Sequence, residues 1–170
     1  MPRNITFYKR HTFGQYYEED FMLDQNRMPF FNSNTLTLSG YGESFFKPGA
    51  EISIYHPYWA LSYVSEGSAY IFFENNSKLR LKPGDILIIG PGKRYQYRVP
   101  KDTTIFRKVL LINNGQLASS LFNQGILNGR DIIHLKDPSK INSIFEQVKK
   151  IASEGDPELQ KKLSVIAYAF

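Results

Sequence analysis

The chain has 170 residues, enough for one domain with a sizeable hydrophobic core, and its aromatic content of 15% favours strands over a helical bundle. The absence of cysteine excludes disulfides and zinc–thiolate sites, and because no apolar run approaches the roughly 18 residues of a membrane span or resembles a signal peptide, we expect a cytoplasmic protein. The net charge is +5, but the 21 Lys and Arg residues are scattered, which argues against a nucleic-acid surface.

Residues 1–33 are polar and aromatic without sustained periodicity. Phenylalanine and tyrosine residues stand among charges and amides here, whereas disordered segments usually lack aromatic residues. We therefore expect an N-terminal arm that packs on another part of the molecule and closes over a binding site as a lid.

Residues 34–115 predict short strands between turns. Asn75-Asn76 suits a tight hairpin because Asn tolerates positive φ, and Lys82-Pro83-Gly84-Asp85 has Pro and Gly at the central positions of a type II turn. Eight short strands at this spacing predict a barrel or jelly roll. The predicted strands are 35–40, 51–55, 59–65, 69–74, 79–82, 85–89, 94–99 and 105–112.

Residues 116–170 change to a helical period. Asp137-Pro138 is an N-cap followed by Pro at the first helical position, and Gly155 is expected to end that helix. Asp156-Pro157 repeats the start signal for a second helix, which has no stop signal before Phe170, so we expect more protein to follow in the gene. Apolar stripes comprise Ile141, Ile144, Phe145, Val148, Ile151 and Ala152 on the first helix and Leu159, Leu163, Ile166 and Phe170 on the second.

Residues 79–97, LRLKPGDILIIGPGKRYQY, resemble the second cupin motif, and residues 61–67, LSYVSEG, resemble the end of the first. A hydrophobic strand ending at Asn113-Asn114-Gly115 follows, and then the paired helices. This order is similar to the arm, barrel and helical pair of AraC-type transcription regulators.

The resemblance implies a mainly β fold, a cupin-like double-stranded β-barrel (jelly roll) followed by a C-terminal helical pair. In that family the barrel binds a small-molecule effector, often a sugar, and the helices form a homodimer. DNA is bound by helix-turn-helix units, which would lie beyond Phe170 and are not present in this chain. The residues expected in the dimer are Ile144, Val148, Leu159, Leu163 and Ile166.

Cupin enzymes usually hold a divalent metal through histidines and a glutamate. By resemblance the glutamate position falls at Ala60 and the second-motif histidine at Tyr95, and only His56 remains near the first-motif histidine pair. We therefore expect no metal and no cofactor. His11 and His134 lie outside this spacing and are expected to be surface or capping residues.

The segment 94–99 alternates between basic or amide residues and aromatic or apolar ones. Because successive side chains of a strand point to opposite faces and Arg prefers water, Tyr95 and Tyr97 should face the interior. There a tyrosine ring stacks on a sugar and its hydroxyl forms a directional hydrogen bond. By resemblance, Tyr97 falls where AraC-type arabinose sensors use an aromatic contact.

The strand 105–112 is expected to place Phe106 and Lys108 inward as a second wall of the ligand site. A buried ammonium needs a partner, which an anionic or hydroxyl-rich ligand supplies, unless Lys108 extends to the barrel mouth. A bulge would instead turn Arg107 inward.

Two further residues are candidate ligand contacts. His56 precedes Pro57 where arabinose sensors have Arg-Pro, although an ordinary loop histidine is the alternative. Trp59 is a weaker candidate, since the faces of Trp59, Tyr63 and Tyr70 are not determined by the pattern.

The alternative function is a metal-free cupin enzyme such as a sugar epimerase or isomerase, which needs a positioned general base. The predicted strands offer only His56, Glu51 and Glu66, with no pair at suitable spacing. A storage or scaffold cupin does not predict a sequence that stops within a helical pattern. We therefore expect a sensor domain and no catalytic residues.

Overall fold

A computed structural model describes residues 5–13, 17–24, 37–56, 59–74, 77–103, 106–114 and 132–154, together with residues 120, 123 and 124. These residues form β1 (Ile5–Phe13), β2 (Tyr17–Asp24), β3 (Thr37–Phe46), β4 (Glu51–His56), β5 (Trp59–Glu66), β6 (Ala69–Phe73), β7 (Lys78–Leu81), β8 (Asp85–Ile89), β9 (Lys93–Arg98), β10 (Phe106–Asn114), β11 (Ile132–His134) and the helix α1 (Pro138–Glu154).

The strands form two antiparallel sheets. The larger has the order β1-β2-β3-β10-β5-β8-β11, and the smaller has the order β4-β9-β6-β7. Strands β3 to β10 are thereby divided into β3-β10-β5-β8 and β4-β9-β6-β7, which is the strand order of a jelly roll. One hydrophobic core draws on both sheets, with Ala60, Val64 and Leu87 from the larger and Ile71 and Tyr97 from the smaller.

The predicted strands between residues 35 and 114 are all present, with ends that differ by a few residues. The largest difference is β3, which continues to Phe46 because it pairs with β10 as far as Phe106. Among the described strands no pairing joins the two sheets, so the observed architecture is a two-sheet sandwich rather than a closed barrel.

The N-terminal arm contains regular structure that its pattern did not predict. β1 and β2 form an antiparallel hairpin, and β2 pairs with β3 from Tyr17↔Phe46 to Leu23↔Gly40. An edge strand offers a row of unpaired backbone N–H and C=O groups, so pairing there does not depend on a clean side-chain alternation. The hairpin extends the larger sheet beyond β3, and β10 and β5 lie between β3 and β8.

The turn at Pro83-Gly84 forms as its sequence predicts. Gly84 has a φ of 91°, which glycine adopts at no steric cost. The Asp85 N–H donates to the Lys82 carbonyl at 3.1 Å and closes the turn. The Lys82 N–H in return donates to the Asp85 carboxylate at 2.8 Å. This reciprocal pair closes the turn between β7 and β8.

Helix α1 begins where the Asp137-Pro138 signal places it. The Asp137 carboxylate accepts hydrogen bonds from the Ser139 N–H at 3.0 Å and from the Ser139 hydroxyl at 2.6 Å, as an N-cap does. These two bonds, with a smaller contribution from the charge of Lys140, hold the pKa of Asp137 below its usual value.

The apolar stripe of α1 covers the outer face of the larger sheet. Phe145 is buried and stacks on Tyr63 of β5, with ring centroids 5.3 Å apart and planes inclined by 15°. Burial raises the pKa of Tyr63, and a hydrogen bond with the Asn142 side chain partly opposes that rise. Tyr63 is therefore a docking residue for the helix and not part of the interior. The predicted second helix, residues 156–170, lies outside the described residues.

Candidate functional site

Strand β9 runs through the middle of the smaller sheet and supplies the interior tyrosines. Tyr95 pairs with Ile54 and Phe73, and Tyr97 pairs with Ile52 and Ile71. Tyr95 is 4% exposed and Tyr97 is 0% exposed, whereas Arg94 and Arg98 are exposed. The predicted alternation of burial along this strand is confirmed.

The ring of Tyr97 is packed among other aromatic rings. Its centroid lies 5.6 Å from those of Phe46 and Phe106 and 5.4 Å from that of Tyr95, which it meets edge-on. Phe46 and Phe106 are also fully buried. Side chains therefore fill the deep part of the sandwich around Tyr97.

The interior is polar as well as aromatic. Ser44 and Ser62 are buried on the inner face of the larger sheet. Burial raises the pKa of Tyr97 far above its usual value, and hydrogen bonds with the hydroxyls of Ser62 and Tyr95 oppose the rise only in part. The Tyr97 phenol thus stays protonated at every physiological pH and takes part in these interior hydrogen bonds as a neutral group.

A cavity of about 220 Å³ lies at the mouth of the sandwich, where the ends of β6 and β8 meet the start of β9. We call it the mouth cavity. Tyr95 contributes to its wall, whereas Tyr97 lies deeper and does not line it. The lining residues are Phe73, Glu74, Ile88, Ile89, Gly90, Lys93, Arg94 and Tyr95.

A shallower groove of about 480 Å³ runs over the outer face of the smaller sheet. Two cation–π contacts lie along it. The Arg98 guanidinium is 4.5 Å from the Phe72 ring centroid, and the Arg94 guanidinium is 5.3 Å from the Tyr55 ring centroid. Tyr70, on the same outer face, carries the Lys78 ammonium at 3.9 Å. Tyr70 thus faces outward and does not line the mouth cavity.

Two candidate contacts lie at the same end of the sandwich as the mouth cavity. The backbone of His56 pairs with Lys93, while the side chain of His56 lies outside the described residues. Trp59 packs against Gly90, so closely that a Cβ at Gly90 would lie 2.9 Å from its Cζ3. The position of Trp59 therefore depends on the absence of a side chain at residue 90.

The other predicted wall belongs to β10. Phe106 is fully buried. The backbone of Lys108 pairs with Ser44 on one side and Val64 on the other, both of which are buried, while the Lys108 side chain lies outside the described residues. Pairing with β5 is irregular between Arg107 and Lys108, as the predicted possibility of a bulge allows. Since the mouth lies at the Ala60 end of β5, the Lys108 backbone, which pairs with Val64, lies deeper than the level of Ser62.

Among the expected dimerisation residues, Ile144 is half-buried on α1. Such partial exposure leaves it accessible beside the face that packs on the sheet. The side chain of Val148 and the residues Leu159, Leu163 and Ile166 lie outside the described part of the chain.

One interaction was missed from the sequence. The Nδ1 of His134 lies 2.7 Å from the carboxylate of Asp85, which is 3% exposed. The Gly84 N–H donates to the Val64 carbonyl and the Gly84 carbonyl accepts from the Leu135 N–H, both at 3.0 Å. The short strand β11 is thus tied to the Pro-Gly-Asp turn. The Asp85–His134 contact could not be predicted, because an Asp in a turn and a His before a helix occur at no fixed spacing along the sequence.

No three His, Asp or Glu side chains converge as a metal site within the described residues. The positions that correspond by resemblance to metal ligands carry Ala60, buried in the core, and Tyr95. No helix in the described ranges is long and apolar enough to cross a membrane.

Two facing jelly-roll sheets with a small mouth cavity define a cupin-type binding domain. The sequence matches the family model of the AraC-like ligand binding domain over residues 54–169, so the chain belongs to that family. No significant match is found among curated proteins.

Solved structures similar to this chain share little sequence with it. The polyketide cyclase RemF from Streptomyces resistomycificus is 14% identical, with 66% of this chain and 77% of that chain covered at a TM-score of 0.47. An RmlC-like cupin from Shewanella frigidimarina is 16% identical, with 65% and 87% covered at 0.47. Ectoine synthase from P. lautus is 14% identical, with 72% and 78% covered at 0.45.

Proposed function

We propose that the chain is the effector-sensing and dimerisation part of an AraC-type transcription regulator and has no catalytic activity. Its effector is a small polar, sugar-like molecule that binds between the two sheets. The observation that carries this proposal is the family match over residues 54–169, which covers the strands around the mouth cavity. The ring of Tyr95 on the cavity wall, with the hydrogen-bonded hydroxyls of Tyr97 and Ser62 deeper in the sandwich, supports a polar ligand.

The proposed ligand contacts form two levels. Tyr95 and His56 belong to the mouth, where a ligand enters. Trp59 lies on the same face of β5 as Tyr63 and borders the mouth through its contact with Gly90. Tyr97, Phe106 and Lys108 belong to the deeper wall, which has to open by rotation of packed rings before a ligand reaches it. Tyr95 is the contact on which we rely most, because it lines the mouth cavity directly.

Regulation follows as a shift between two populations. The effector binds one arrangement of the sensor more tightly and therefore increases its population by the ratio of the two affinities. Helix α1, and the predicted second helix that follows it, hold two copies together in the cytoplasm. DNA is bound by helix-turn-helix units encoded beyond Phe170, whose relative position changes with the sensor.

A thermal-shift screen tests ligand binding. A ligand at one hundred times its Kd should stabilise the wild-type chain by ~2.7 kcal/mol. Tyr95→Phe, which removes the buried hydroxyl that bonds to Tyr97 behind the cavity wall, should weaken binding of the best ligand. Tyr70→Phe removes a hydroxyl from the outer face and should leave binding unchanged. Equal binding by all three proteins would place the site elsewhere.

Two observations separate a regulator from an enzyme. The gene should encode two helix-turn-helix patterns within about 100 residues after Phe170, roughly one further domain. The ligand found in the screen should be recovered chemically unchanged after long incubation with the protein, as followed by NMR. Turnover of that ligand would favour the alternative, a metal-free cupin isomerase.

A further inference from the structure

The rim of the mouth cavity carries two basic side chains that form no ion pair within the described residues. Lys93 and Arg94 are consecutive residues at the start of β9, both are exposed, and both line the cavity. Within the described ranges neither forms an ion pair, whereas Arg98 on the same strand lies 3.6 Å from Glu51. Glu74 is the one carboxylate among the lining residues. The cavity rim thus has a net charge of +1.

The two cations border the mouth cavity from opposite faces of β9. Lys93 precedes Tyr95 by two residues, so it shares the inward face of β9 and stands at the open end of that face. The guanidinium of Arg94 lies over the ring of Tyr55, which is 54% exposed. A cation–π contact of this kind restricts the side chain without occupying its N–H groups. Arg94 thus lies on the outer face of β9, borders the cavity at its rim and keeps its donors for a ligand bound there.

The wall behind these cations is mainly apolar. Phe73, Ile88 and Ile89 form it, together with the ring of Tyr95. The volume of about 220 Å³ is below the roughly 300–1,000 Å³ of pockets for drug-sized ligands, so the ligand is the size of a simple metabolite. A neutral molecule in this cavity would form no ion pair with either rim cation. A carboxylate would accept two hydrogen bonds from the planar guanidinium and a third from the ammonium.

We propose that the effector is a small organic acid whose carboxylate binds Lys93 and Arg94 at the mouth cavity while its body lies against Ile88, Ile89 and Tyr95. This rests on the proposed effector-binding function and specifies the ligand class. It predicts that affinity depends on ionic strength, because the rim is open to solvent and salt screens exposed charges.

The test compares acids with neutral molecules of the same shape. The probes are glucuronate against glucose, galacturonate against galactose, and benzoate against benzyl alcohol, each measured by thermal shift and then by calorimetry. We expect stabilisation by an acid and none by its neutral partner. Arg94→Gln and Lys93→Gln should each weaken binding of that acid about tenfold or more, as expected for loss of a charge-assisted hydrogen bond.

Arg80→Gln is the matched control, because Arg80 is an exposed cation of the smaller sheet that lines neither cavity. It should bind the acid as the wild type does, and equal weakening in all three variants would mean nonspecific attraction. Binding of a neutral probe that survives Arg94→Gln would overturn the organic-acid proposal and leave the sensor function intact. The absence of binding by every acid and every neutral probe would contradict both.

Discussion

The packed layer around Tyr97 predicts a large loss of stability when its side chain is truncated. Tyr97→Ala removes a fully buried ring that meets the rings of Phe46, Phe106 and Tyr95 at centroid distances of 5.4 to 5.6 Å. Truncation of a buried aromatic residue to Ala typically costs about 3–5 kcal/mol, because the contacts are lost and a cavity remains. We expect the free energy of unfolding to fall by that amount.

Tyr97→Phe separates the ring from the hydroxyl. It keeps the contacts with Phe46 and Phe106 and removes only the hydrogen bonds with Ser62 and Tyr95. The net value of such a bond is about 0.5–1.5 kcal/mol. Loss of both bonds costs about 1–3 kcal/mol, so the difference between the two variants, about 2 kcal/mol, measures the packing of the ring.

Urea unfolding at one fixed protein concentration measures both values by linear extrapolation. Trp59 is the only tryptophan of the sequence, so its fluorescence reports on the sandwich without interference. If Tyr97→Ala costs less than about 1 kcal/mol, or no more than Tyr97→Phe, the ring does not lie in a close-packed layer. The register assigned to β9 would then be refuted.

Three further predictions concern helix α1. Phe145→Ala, which removes the stack on Tyr63, should lower the free energy of unfolding by about 3–5 kcal/mol in the same urea experiment, and a change below ~1 kcal/mol would mean that the helix is not docked there. Ile144→Glu should weaken the homodimer in analytical ultracentrifugation, whereas Ser143→Glu, on an exposed position of α1, should not, and equal effects would place the dimer contact elsewhere. Because the pKa of Asp137 is lowered in the folded state, its contribution is present above its unfolded pKa and is lost as pH falls through the folded value. Asp137→Asn keeps the cap and should reduce the loss of stability below about pH 4, as followed by circular dichroism, and an unchanged acid transition would contradict this role.

Elements whose ends are marked by backbone chemistry could be predicted from the sequence. Gly84 marks a turn because its positive φ excludes most side chains. Asp137-Pro138 marks a helix start because Asp137 accepts a hydrogen bond from the first turn and Pro138 has no N–H that would need a partner. Strand β11 could not be predicted, since three residues show no period and their strand character comes from pairing with β8. The hairpin β1–β2 likewise depends on the edge of β3 more than on its own alternation.

The side-chain pattern predicted which face of β9 the candidate residues occupy, but it could not predict how deep in the sandwich the open volume lies. Alternation on a strand indicated that Tyr95 and Tyr97 share the inward face, which their burial confirms. It could not indicate that Phe46 and Phe106 fill the space beside Tyr97 and leave the open volume beside Tyr95. That result depends on which residues of two sheets come to the same level, and this is a property of register. Ligand contact by either tyrosine stays a prediction.

The joint at Gly84 makes helix α1 a lever. The Gly84 backbone is bonded to Val64 within the sheet and to Leu135, three residues before the helix begins. Asp85 and His134 form a second bond beside it, so the base of the helix cannot pivot freely on the sandwich. With 17 residues α1 is roughly 25 Å long. A tilt of roughly 5° at β8, whose far end borders the mouth cavity, would therefore displace the tip of the helix by ~2 Å, so that a small movement at the cavity becomes a larger one at the end of the lever.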